Sequence, residues 1–139
     1  MNVIVTDASF CLALVLPDET VDATDRLFRE LMVNDTIAPA VWPAETVNTL
    51  VMSIRRGRLN EHELAACLSV IAHLGVAVEQ PMEPGEMSEL VRLALDRNLT
   101  IYDACYLELA LRRNAMLATL DKQLLSAASA LGVRLLETA

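Results

Sequence analysis

The run Val3-Ile4-Val5-Thr6-Asp7 constrains this chain more than any other stretch. Three β-branched residues in succession read as a strand buried on both faces, the kind found inside a parallel sheet. Parallel neighbours need a crossover connection, so strands should alternate with helices along the chain. The run ends on Asp7, and small Ala8 and Ser9 lead into an apolar helix. An aspartate placed there overhangs the crevice in which open α/β sheets bind ligands. Nothing basic lies near it in sequence.

The alternation is present. Phe10 to Leu16 reads as a helix stopped by Pro17-Asp18-Glu19, and Val21 to Val33 as a second, with Leu27, Phe28 and Leu31 on one face and Asp22, Asp25, Arg29 and Glu30 around the rest. Thr36 to Pro39 is a short strand. A third helix opens at Val41-Trp42-Pro43-Ala44-Glu45 and runs to Arg56, with Pro43 suited to its first turn and Gly57 to its stop. Asn60 and Glu63 have capping-box spacing for a helix reaching Leu74. Val76 to Val78 is a third strand, and Pro81 and Pro84-Gly85 break the chain. Helices over Met87 to Arg97 and Thr100 to Arg113 follow, then a strand over Ala115 to Thr119, a helix over Lys122 to Leu131 and a last strand over Val133 to Leu136. The expectation is one α/β domain over residues 1–139, its parallel sheet covered on both faces.

Of the 139 residues 54% are hydrophobic, so part of the surface is expected to close against another chain. No apolar run approaches the ~20 residues of a membrane span, and the N-terminus lacks a signal-peptide layout. Cys11, Cys67 and Cys105 are odd in number and widely spaced, which suits reduced thiols in a cytoplasmic protein. A net charge of −8 argues against nucleic-acid binding by bulk charge, yet a nuclease needs an acidic site if metal is to sit there. Arg55, Arg56 and Arg58 form a basic cluster that could meet phosphate, or simply a solvated helix end.

Among 19 acidic residues, four stand in apolar surroundings at helix starts: Asp7, Glu45, Asp103 and Asp121. Singly, each has an ordinary explanation. Asp7 and Asp121 have the placement of N-caps, and Glu45 and Asp103 that of first-turn acids. Jointly they are harder to explain, because parallel strands point one way and bring these acids to one edge of the sheet. Carboxylates gathered there repel unless a cation compensates. An all-oxygen site without organised His or Cys suits magnesium or manganese. No serine lies in a nucleophile elbow, His62 and His73 read as helix-surface residues, and the 4 glycines form no phosphate-cradling loop. Metal-dependent phosphodiester hydrolysis is what remains. A phosphoacceptor receiver domain of similar size would need paired acids after the first strand, where this chain has Ala8-Ser9.

Val5-Thr6-Asp7-Ala8-Ser9, Trp42-Pro43-Ala44-Glu45-Thr46-Val47-Asn48, Tyr102-Asp103-Ala104-Cys105-Tyr106 and Leu117-Ala118-Thr119-Leu120-Asp121 resemble, in order, the motifs of the PIN-domain nucleases, above all the toxins of VapBC-type toxin–antitoxin pairs. The resemblance implies a three-layer α/β/α sandwich with a parallel sheet of four to five strands. It implies a Mg2+- or Mn2+-dependent endoribonuclease toxin in which Asp7 and Asp103 are the principal metal ligands. Glu45 and Asp121 would complete the catalytic site, and Ser9, Asn48 and Thr119 would support it from behind. An RNA substrate, a cognate antitoxin and a homodimer are implied as partners, with RNA contact by Arg55, Arg56 and Arg58 as a guess. The competing expectation is a catalytically silent PIN-like module that binds only metal and partner.

Overall fold

A computed structural model of the chain describes residues 2–17 and 23–138. Strand β1 (Val3–Thr6) lies inside a four-stranded sheet with β2 (Asp35–Ala38), β3 (Ala77–Val78) and β4 (Met116–Ala118), in the order β3-β2-β1-β4. All pairings are parallel, and Val5 stands between Ile37 and Leu117. Successive strand residues point to opposite faces, and Ile4, Val5 and Thr6 are all fully buried. Both faces of β1 are therefore covered, as its unbroken apolar run requires.

Seven α-helices among the described residues do the covering: α1 (Ala8–Val15), α2 (Thr24–Val33), α3 (Trp42–Arg55), α4 (Glu61–His73), α5 (Met87–Arg97), α6 (Ile101–Arg113) and α7 (Lys122–Ala130). The result is the three-layer α/β/α sandwich. On one side α1 packs with α2, α3 and α4; α6 lies against β1, α5 and α7. Phe10, Leu12, Leu27, Leu31, Leu50, Leu107, Leu117 and Leu124 join in the main core. Among the described residues no helix is long and apolar enough to cross a membrane.

Helix boundaries follow their caps. Asn60 Oδ1 accepts from Glu63 N at 2.8 Å and Glu63 Oε1 accepts from Asn60 N at 3.1 Å, so the capping box forms in full. Pro43 sits in the first turn of α3, and Gly57 beyond its end has φ +74°, a conformation open to glycine at little cost. Asn60→Ala is expected to lower stability by about 1 kcal/mol in urea unfolding, since it removes one half of the box.

Two expectations change. The strand over Val133 to Leu136 shrinks to one parallel bridge, Leu117 to Leu135, held by Leu117 N to Arg134 O and Leu136 N to Leu117 O, both at 2.9 Å. Gly132 turns the chain at φ +74° immediately before it, and only this one register position pairs with β4. A 3-10 turn over Pro84–Glu86 leads into α5 where a plain break is expected. The expected stop at Asp18-Glu19 and the expected helix start at Val21 and Asp22 lie outside the described residues.

The order β3-β2-β1-β4 carries the functional consequence. From β1 the chain moves outward to β2 and β3, then returns across the sheet to place β4 on the other side of β1. The sheet therefore reverses direction of winding at β1 and β4, and the crevice opens beyond their carboxyl ends.

Candidate active site

Asp7, Glu45, Asp103 and Asp121 all line one open cleft of about 460 Å³ at that crevice, together with Ser9, Asn48, Thr49, Tyr106 and Leu120. Four separate segments deliver the acids. Asp7 caps α1 directly after β1, Glu45 stands in the first turn of α3, Asp103 in the first turn of α6, and Asp121 caps α7 after β4. Among the described residues none that lines the cleft is basic.

Asp7 is the most constrained. Its Oδ1 accepts from Phe10 N and from Ser9 Oγ, each at 2.8 Å, and its Oδ2 accepts from the Thr119 hydroxyl. Burial pushes its carboxyl up to about 6; the bonds from Thr119, Phe10 and Ser9 pull against this, and the charge of Asp103 adds to it. Asp103 is also raised, first by burial and then by the charges of Asp121 and Glu45, against a lowering contribution from Thr100. These acids raise one another, the mutual repulsion expected of carboxylates gathered at one edge of the sheet.

Thr119 and Ser9 tie the site together. Thr119 Oγ1, besides bonding Asp7, accepts from Asp121 N at 3.1 Å, and Ser9 Oγ accepts from Leu120 N at 3.4 Å. The β4–α7 connection is thereby fastened to the side chain that ends β1. Asn48 lies one helical turn beyond Glu45 and lines the cleft. Arg55, Arg56 and Arg58 do not join it: they are exposed at the C-terminal end of α3, ten or more residues from Glu45, about 15 Å along the helix.

Sequence reasoning missed Tyr106. This side chain is 1% exposed, and its hydroxyl donates to Glu45 Oε1 at 2.5 Å. Burial, then the bond to Glu45, keeps the phenol far above its ordinary range. The available signal was its position three residues after Asp103, on the same face of α6.

Among the described residues no three acidic, His or Cys side chains are gathered tightly enough to form a ready-made ion cage. The donors offered to the cleft are nonetheless all oxygen, the type that hard divalent cations take. A roomier cavity of about 550 Å³ between the ends of β2 and β3 and helices α5 and α6 also carries acids. Two of them, Glu79 and Glu108, are paired with Arg113 at 2.6 Å and Arg112 at 2.8 Å. Half of its four acids are thus ion-paired, whereas no ion pair to an acid of the Asp7 cleft is found among the described residues.

The pattern of the PIN domain family matches residues 4–130. The chain is 31% identical over 121 residues to Ribonuclease VapC3 of Pyrobaculum aerophilum, spanning 87% of this chain and 91% of that protein. It is similar to the crystal structure of PAE2754 from Pyrobaculum aerophilum, with a TM-score of 0.67, 25% identity and coverage of 89% of this chain and 84% of the other. A domain of a functionally unknown protein from Methanocaldococcus jannaschii shares the fold alone, with a TM-score of 0.50 and 20% identity over 100% of this chain and 94% of that one. A match over most of the sheet and its helices, with the acids at the sheet's switch point, makes this chain a member of the PIN domain family.

Proposed function

We propose that this protein is a divalent-metal-dependent endoribonuclease, acting as the toxin of a VapBC-type pair. The observation that carries the reading is the convergence of Asp7, Glu45, Asp103 and Asp121 on a cleft with no basic lining residue among those described, Asp7 buried enough to hold its carboxyl near 6. The likeness to Ribonuclease VapC3 supports RNA as the substrate.

The donor set fits Mg2+ or Mn2+: oxygen ligands only, excess negative charge, and an open mouth that leaves room for water and a phosphodiester. Asp7 and Asp103 are the principal ligands, with Glu45 and Asp121 completing the set. The cation supplies Lewis-acid charge and lowers the pKa of water in the cleft. The protein's part is to hold its ligands still. Ser9, Thr119 and the Phe10 amide fix both oxygens of Asp7, and Tyr106 fixes Glu45. Asn48 offers its amide to the scissile phosphate region, and Asp121 and Glu45 orient the attacking water. Arg55, Arg56 and Arg58 serve RNA only at a distance, through phosphates away from the scissile one.

An acidic cleft also suits inhibition by an arginine or lysine of a cognate antitoxin. A second copy of the chain would cover Met87, Val91 and Leu95, which form an exposed stripe at intervals of four along α5, Leu95 being 69% exposed. Incubated with Mn2+ and a structured RNA, the protein is expected to produce internally cut fragments, and chelation with EDTA to leave the RNA whole. Protein that takes up Mn2+ and leaves every RNA whole would overturn the nuclease reading in favour of a silent metal- and partner-binding module.

A further inference from the structure

Glu45 and Tyr106 are 61 residues apart in sequence and come from different helices, yet their contact is 2.5 Å. A buried phenol needs a hydrogen-bond partner, and most take a backbone carbonyl or water. Tyr106 takes a carboxylate from the cleft, the charge-assisted and shorter kind of bond. Tyr106 is 1% exposed and belongs to the main buried core, so the hydroxyl is a fixed point. Glu45 is not fixed by packing: it is half-buried in the first turn of α3, on a side chain with several rotatable bonds. The tyrosine supplies what the backbone of α3 does not.

The bond also divides the carboxylate. Oε1 is taken by the phenol; among the described residues Oε2 has no protein hydrogen bond. Two-oxygen coordination by Glu45 would have to share Oε1 with the phenol and weaken that bond, whereas coordination through Oε2 alone leaves it intact. Ion size makes this matter. Ca2+ takes six to eight oxygens and gains from bidentate carboxylates, whereas Mg2+ demands a compact octahedron and takes one oxygen per carboxylate. We propose that Tyr106 is a positioning residue that holds Glu45 as a one-oxygen ligand and so tilts the cleft toward Mg2+ and Mn2+ over Ca2+. The inference rests on the metal-dependent reading above. It concerns which ion is taken, rather than whether one is.

The test is calorimetric titration of Mn2+ and Ca2+ into wild type, Tyr106→Phe, Glu45→Gln and the double variant, with no RNA present. Phenylalanine keeps the ring and removes only the hydroxyl. Tyr106→Phe is expected to lower the preference for Mn2+ over Ca2+ about tenfold, through a loss of Mn2+ affinity at the low end of that caused by removing a partner that orients a metal ligand. In the Glu45→Gln background the same change should do nothing further. An unchanged Mn2+-to-Ca2+ ratio in folded Tyr106→Phe overturns the inference, as does a full tenfold effect that persists without Glu45. Wild type that binds neither ion overturns the metal-dependent reading itself, a separate failure. Should Tyr106→Phe not fold, Tyr102→Phe leaves Tyr106 as the one tyrosine of the two. Mn2+ must then perturb the tyrosine ultraviolet spectrum, and a flat difference spectrum overturns the inference.

Discussion

Asp103→Asn is expected to lower RNA cleavage at least about a thousandfold while leaving the fold intact. A divalent cation contributes several kcal/mol of charge stabilisation to phosphoryl chemistry, and losing about 4 kcal/mol of it amounts to three powers of ten. Asparagine keeps the shape of the ligand and removes the charge that holds the ion. The fold should not suffer, for two reasons. Helix α6 is capped by Thr100 Oγ1, which accepts from the Asp103 backbone N at 3.1 Å, and asparagine retains that donor. Removing the charge also relieves repulsion from Asp121 and Glu45, offsetting the few tenths of a kcal/mol that a first-turn acid gains from the helix dipole. The check is a cleavage assay in Mn2+ beside a thermal melt. Full cleavage by a folded variant would remove Asp103 from the machinery; lost cleavage with lost folding would make it a structural acid.

The acids were legible because each announces itself locally, at a strand end or helix start in apolar surroundings. Reading Asp7 as cap or as corner of a site presented two alternatives that the structure makes compatible: one carboxylate bonds Phe10 N and faces the cleft. Capping leaves lone pairs over, so local duty does not exclude a shared one. Thr119 and Ser9 were legible by their position in the motifs, although nothing local shows that they bridge β1 to the β4–α7 connection. Tyr106 was not legible as a partner of Glu45, since no periodicity couples residues on two helices; only the fold, which brings both to one cleft, does. Arg55, Arg56 and Arg58 show the opposite difficulty. Their clustering is plain in sequence, but clustering does not say which end of α3 faces the cleft. The segment Val133 to Leu136 reads as a strand because its pattern is apolar and follows a glycine. How many ladder bonds it makes depends on where Gly132 sends the chain.

Asp7→Asn is expected to separate stability from activity. In the metal-free protein the buried Asp7 carboxyl, 5% exposed, is raised from 3.8 to about 6. Between these values the folded state holds a proton that the unfolded state has released, so stability falls as pH rises from about 4 through 6. At neutral pH the ionised side chain costs about 3 kcal/mol relative to its protonated form, from two pKa units at about 1.4 kcal/mol each. Asparagine stays neutral throughout. Its oxygen can accept from Phe10 N and Ser9, and its amide can donate to Thr119 once that hydroxyl turns. In EDTA at pH 7.5 the variant should therefore resist urea better than wild type, by about 2–3 kcal/mol, with the gap closing toward pH 4. Saturating Mn2+ should reverse the order, because an ion that binds only the folded wild type stabilises it in proportion to the logarithm of its concentration over Kd. Cleavage should be lost at every pH. A gap that ignores pH would mean that Asp7 is not the group titrating, and wild type that gains nothing from Mn2+ would mean that its charge is retained for something other than a cation.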